Sequence, residues 1–151
     1  MQDDIPNEEL TFDTFYLGQK LPSYLHTLSI SEIDHWCYLV GEDNPVYLDD
    51  NEAKLAGFEG RIAPPMMIRV FSHMQNVFKG FDRKVPGHSI HAKGWYRFIK
   101  PVRPGDTIRT TGFVKQKYIK NNRKFLIFEF TCINQRGECV AKNTHTTIWP
   151  K

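Results

Sequence analysis

From His88 to the C-terminus the apolar residues recur at every second position, in runs at 89–100, 107–119, 124–134 and 138–149. The segment before them behaves differently. Pro64-Pro65 opens a helical pattern in which Met66, Met67, Val70, Phe71, Met74, Val77 and Phe78 cover more than one stripe, so that helix must be nearly enclosed. The period-two runs are joined through Arg103-Pro104-Gly105-Asp106, Asn121-Asn122 and Gln135-Arg136-Gly137, and such short links favour sequential antiparallel pairing. One enclosed helix and one long antiparallel meander leave few packings. The expectation is an α+β single domain in which a bent sheet wraps around a long central helix.

Toward the N-terminus, Ser29-Ile30-Ser31-Glu32 has the form of a capping box, and Ile33, Trp36, Cys37 and Val40 then recur on one helical face until Gly41 closes it. Asp49 repeats the cap logic before a short helix at 52–56, which Gly57 ends. The segment between, Gly-Glu-Asp-Asn-Pro-Val-Tyr-Leu-Asp at 41–49, is expected to be a tight loop pinned by both helices. Residues 1–11, acidic at first and carrying Pro6, are expected to form a flexible N-terminal arm ahead of a domain at 12–151.

A chain of 151 residues, 40% of them apolar, has enough material for one core and too little for two ordinary domains. The formal charge of +3 is spread over the chain, which favours small anionic ligands weakly and argues against nucleic acid. No window has the apolar length of a membrane span, and the acidic start is unlike a secretion signal, so a cytoplasmic protein is expected. Cys37, Cys132 and Cys139 are odd in number and lack metal-ligand spacing, which reads as reduced core thiols. Neither a metal nor a cofactor is expected.

Three segments in order, residues 41–49, GFEGRIAPPM at 57–66 and FIKPVRPGDT at 98–107, resemble the MaoC-like (R)-specific enoyl-CoA hydratases and the related fatty-acid-synthase-type dehydratases. The resemblance covers roughly 12–149 and implies a hotdog fold. It also implies a subunit that adds water to a trans-2-enoyl thioester of coenzyme A, or of acyl carrier protein in some branches. In that family an Asp and a His of the loop share one water as acid and base, and a backbone amide at the start of the central helix steadies the thioester oxygen.

Here the family's Asp is Glu42 and its His is Tyr47. Glu42 keeps the carboxylate one methylene further out; a displacement on the order of 1 Å can cost about a hundredfold in rate. Tyr47 is the graver change, because a phenol with a reference pKa of about 10 is a poor base at neutral pH. The resemblance places Asn44, Arg61, Ala63 and Met66 around the acyl thioester, with Met66 supplying the helix-start amide that Pro65 lacks. Some relatives are heteromers in which one hotdog subunit supplies acid and base and the other walls the pocket; the mycolic-acid dehydratases and actinobacterial steroid side-chain hydratases are of this kind. A silent or weakened partner is therefore the first expectation, in a hotdog homo- or heterodimer or a dimer of dimers. A self-sufficient hydratase or thioesterase using Glu42, and an acyl-CoA-binding module without turnover, are the alternatives.

Individual residues admit plainer roles. Glu42 and Asp43 could be solvated loop carboxylates, and Asn44-Pro45 forms a turn in any case. His73 sits at the edge of an apolar pattern. His91 and His145 alternate in register with Ser89, Lys93 and Asn143, which predicts an outward face. Arg61, Arg83, Lys84, Arg103 and the lysines of 120–124 could meet phosphates or simply face water, with Arg61 preferred because it precedes the central helix.

Overall fold

The period-two runs become β2 (Ile90–Phe98), β3 (Thr107–Lys120), β4 (Arg123–Ile133) and β5 (Cys139–Trp149) of one antiparallel sheet. They are seen in a computed structural model that describes residues 9–81 and 83–150. A fifth strand, β1 (Tyr24–Thr27), joins the edge of β3, giving the order β1-β3-β4-β5-β2. Its four residues are too short to announce themselves by alternation. The β3–β4 hairpin turns on Asn121 and Asn122, both at positive φ (49° and 57°), a primed turn that suits asparagine and the sheet's twist.

Sequential pairing holds for β3-β4-β5 and fails for β2, which crosses to the far side of β5. The reason lies in the link at 99–106. Its Val102 carbonyl accepts from Ala63 N–H at 2.8 Å, and the Gly105 amide donates to the Leu28 carbonyl at 2.7 Å. With Pro101 and Pro104 unable to donate, the link serves the helical layer and forms no hairpin.

The helical layer comprises α1 (Ile30–Val40), α2 (Pro45–Leu48), α3 (Asp50–Leu55) and the central segment. The capping box of α1 is formed: Ser29 Oγ accepts from Glu32 N–H at 3.2 Å, Glu32 Oε2 accepts from Ser29 N–H at 2.8 Å, and Gly41 ends the helix at φ +71°. The helix expected to be long is instead a 3₁₀ turn (Pro65–Met67) followed by α4 (Ile68–Phe71) and α5 (Met74–Phe78), interrupted at Ser72-His73. Side chains satisfy the backbone at the break. Thr110 Oγ1 donates to the Phe71 carbonyl at 2.6 Å, Asn76 Nδ2 donates to the Val70 carbonyl at 3.1 Å, and His73 Nδ1 accepts from Gln75 N–H at 3.3 Å.

The break also divides the core. Met67, Ile68 and Phe71 pack with Ile33, Ile108 and Val140, while Met74, Val77 and Phe78 pack with Phe15, Phe128 and Trp149. In the second cluster the Phe15 and Trp149 rings meet edge-on at 5.1 Å, and those of Phe78 and Phe128 at 5.5 Å. The expected N-terminal arm falls mostly outside the described residues. From Glu9 onward the chain is held: Glu9 bridges Lys84, and Leu10 is buried in the second cluster. Among the described residues no helix is long and apolar enough to cross a membrane.

Candidate functional site

The three sequence segments singled out above converge at one end of the sheet. Ile62 N–H donates to the Val46 carbonyl at 3.3 Å, joining the first segment to the second; the Ala63–Val102 bond joins the second to the third. An ion pair between Arg103 and Glu59 adds a second tie between the last two. Beside this junction lies an apolar pocket of about 250 Å³, whose lining includes Phe58, Ala63, Pro64, Phe71, Phe98 and Ala141. Ala63 thus faces the pocket. Met66 is half exposed and supplies the first N–H of the 3₁₀ turn that Pro65 opens.

The loop itself is rigidly built. Glu42 N–H donates to the Cys37 carbonyl at 2.9 Å, and the Glu42 Oε1 oxygen accepts from Asn44 N–H at 3.1 Å. Asn44 caps α2 by accepting from Val46 N–H at 3.2 Å, with Pro45 at the first helical position. Tyr47 follows on α2, half-buried against the core. Its phenol is pushed above the ordinary tyrosine value, first by burial, then by the negative charge of Glu42 and by Cys37. It therefore stands as a proton donor beside a carboxylate, and has no means of acting as a base near neutral pH. Burial likewise raises the Cys37 thiol, which makes it a poor nucleophile.

Arg61 has a structural post. Its side chain is 11% exposed and pairs with Asp34, while its Nε–H donates to the Tyr47 carbonyl at 2.8 Å and its amide donates to Asp50 Oδ1 at 2.8 Å. It pins the backbone under the phenol. Among the other cations, Lys117 and Lys124 lie over the Phe12 ring at 4.5 and 5.6 Å from its centroid, at the opposite core cluster.

The histidines depart most from expectation. His145 and Asn143 point inward, since β5 buries Asn143, His145, Thr147 and Trp149 in alternation. His91 keeps the exposure expected of it, yet beside a register shift between His91 and Lys93 its Nδ1 lies 3.0 Å from Nδ1 of His145. Counting back by twos from Trp149 would have found this; treating Asn143 as a mark of the solvent face concealed it. Ser72 Oγ donates to Asn143 Oδ1 at 2.8 Å, and Arg69 Nη1 donates to Tyr96 Oη at 3.0 Å. Arg69 carried no signal in the sequence.

The sequence and the fold both have relatives among known proteins. The profile of the "FAS1-like, dehydratase domain region" family matches residues 17–143. An (R)-specific enoyl-CoA hydratase of Rhodospirillum rubrum is 28% identical over 144 residues, 92% of this chain and 91% of that protein. A 3-oxo-4,17-pregnadiene-20-carboxyl-CoA hydratase alpha subunit of Mycobacterium tuberculosis is 45% identical over 42 residues, 28% of this chain; the match spans only 14% of that protein's length. The C-terminally truncated HadBC (3R-hydroxyacyl-ACP dehydratase) complex of the same organism superposes with a TM-score of 0.78 at 19% identity, covering 91% of this chain and 98% of that one. At that identity the likeness speaks for the fold.

Proposed function

Because the chain belongs to the FAS1-like dehydratase domain family, as a MaoC-like hotdog protein, we propose that it is the non-catalytic or weakened subunit of an enoyl-CoA hydratase or dehydratase. Its partner is a hotdog chain that supplies the missing base, and the shared reaction is addition of water across a trans-2-enoyl thioester. The observation that carries the reading is Tyr47: a phenol raised by burial and by Glu42 occupies the position where the resemblance calls for an imidazole. Water addition needs a group that accepts a proton at working pH, and Glu42 alone remains to do so. Its carboxylate is already turned onto the Asn44 amide.

The role left to this chain is shape and support. Ala63 and the apolar pocket wall the acyl group, Met66 offers an amide toward the thioester oxygen, and Asn44 and Arg61 hold the loop. The alpha-subunit name of one relative and the two-protein nature of the HadBC complex make a heteromer a natural arrangement for such a chain. Co-purification from the native source, followed by a crotonyl-CoA hydration assay with and without the associated chain, tests the reading. Activity that appears only with a partner carrying Asp and His supports it. Full activity of the lone chain refutes it.

A second reading keeps Glu42 as the sole acid and base of a slow hydratase or thioesterase. What favours it is the closeness of the Glu42 charge to the Tyr47 phenol, an acid beside a carboxylate. Loss of lone-chain turnover in Glu42→Gln would distinguish it, and saturable acyl-CoA binding without turnover would instead indicate a binding module.

A further inference from the structure

Away from the loop, Arg69 and His73 at the break in the central segment lie near His91 and Tyr96 of β2 and His145 of β5. Arg69 is half-buried, and among the described residues it makes no ion pair. A half-buried guanidinium with no matching charge is costly unless something supplies one. Burial first holds the imidazoles of His73, His91 and His145 below the ordinary histidine value; the Arg69 charge adds to this at all three, and His91 adds to it at His73 and, ahead of Arg69, at His145. Among the described residues the cluster is thus one cation beside three imidazoles, and no carboxylate forms an ion pair with any of them.

The local geometry is built. Tyr96 folds back over Gly94, where a Cβ would stand 2.8 Å from the phenol oxygen, and this brings its hydroxyl to Arg69 Nη1. His73 Nδ1 accepts from Gln75 N–H at the α5 cap, so its proton sits on Nε2 and remains to be donated. His91 Nδ1 lies 3.0 and 3.1 Å from the two ring nitrogens of His145, within reach of one N–H···N hydrogen bond, and His145 is only 8% exposed.

We propose that Arg69, with His73 and His91 beside it, binds a small oxyanion, a carboxylate or a phosphate. The guanidinium offers parallel N–H donors and the neutral imidazoles add single ones, which is the chemistry such a group recognises. Alongside the hydratase reading, the oxyanion is either an acid group on the acyl portion or a phosphate of its carrier. Binding requires no turnover, so the test stands apart from that reading.

The experiment follows the imidazole resonances of the full chain by NMR while succinate or inorganic phosphate is added. The expected result is a saturable shift of His73 and His91 with at least one anion. Succinate alone points to an acyl carboxylate, phosphate alone to the carrier, and both to the shared chemistry. In Arg69→Met the affinity falls roughly tenfold or more, as loss of a charge-assisted pair requires. His73→Asn keeps the helix cap while removing the Nε2 donor, and lowers affinity by about threefold or more even if Arg69→Met fails to fold. No saturable shift with either anion, or unchanged affinity in a folded variant of either kind, overturns the proposal.

Discussion

Replacing Tyr47 by histidine should raise the rate at which this chain hydrates an enoyl thioester, and the local structure says why the substitution is tolerated. The backbone at this position is held by bonds that do not involve the phenol: the Tyr47 N–H donates to the Asn44 carbonyl at 3.0 Å, and its carbonyl accepts from Arg61 Nε at 2.8 Å. The smaller ring gives up part of the packing against the core, a cost of about 1 kcal/mol. In exchange the loop gains an imidazole with a reference pKa of about 6.5, which the Glu42 charge raises and burial lowers. A positioned general base contributes about 10²–10⁴ in rate. The extra methylene of Glu42 takes back on the order of 10², so Tyr47→His alone should gain up to about 10²-fold, at most about 2.7 kcal/mol off the barrier. Combined with Glu42→Asp it should approach 10⁴-fold. Loss of enoyl absorbance from crotonyl-CoA measures kcat/KM for each variant. The base must be neutral to act, so the rate rises with pH through the imidazole pKa and then levels. If both variants stay at background while circular dichroism and Tm show an intact fold, the missing imidazole is not what limits the chain.

Three further expectations concern the scaffold and its response to acid. Asp106 is 2% exposed and accepts from Arg136 Nη1 and Gln135 Nε2, each at 2.8 Å, and from Arg103 N–H at 2.9 Å; burial alone would raise its carboxyl, yet these bonds hold it below the ordinary value. Asp106→Asn should cost about 3 kcal/mol in urea unfolding at pH 7, and the gap should close as pH falls below about 4 through the native value. His145 titrates near a pKa of about 3, well below its unfolded value, so the native state resists protonation and stability is lost as pH falls from about 6.5 toward 3. At pH 4 that loss is on the order of 3 kcal/mol, and His145→Gln should not show it. Gly112→Ala should lower stability by about 1–3 kcal/mol in thermal melts, because the added Cβ would stand 2.5 Å from the Phe130 ring and 2.9 Å from the Glu129 carbonyl, where backbone must move.

Much of this molecule is legible in its sequence because local rules and tertiary packing agree. Ser29, Glu32 and Gly41 bound α1 as their chemistry requires, and the three resembling segments converge through bonds at Val46, Ile62, Ala63 and Val102. Where they disagree, the sequence misleads. The apolar residues from Met66 to Phe78 satisfy a helical period, but His73 and Asn76 nearby and Thr110 and Asn143 far along the chain offer side-chain partners that stabilise a break, and apolar periodicity records none of them. The crossing of β2 to β5 depends on where the 99–106 link finds its hydrogen bonds. The inward polar row of β5 defeats a rule that equates polar with exposed, and so hid the imidazoles gathered near Arg69. Arg61 is prominent by position, yet the use of its guanidinium under Tyr47 emerges only in three dimensions.

The account stands or falls on whether a phenol and a lone glutamate can draw a proton from water beside an enoyl thioester. Purified by itself and given crotonyl-CoA, this chain should hydrate no faster than its Glu42→Gln variant and gain rate only when a hotdog partner bearing Asp and His is added. Turnover by the unaccompanied chain, at a rate typical of enzymes and lost on Glu42→Gln, would contradict it.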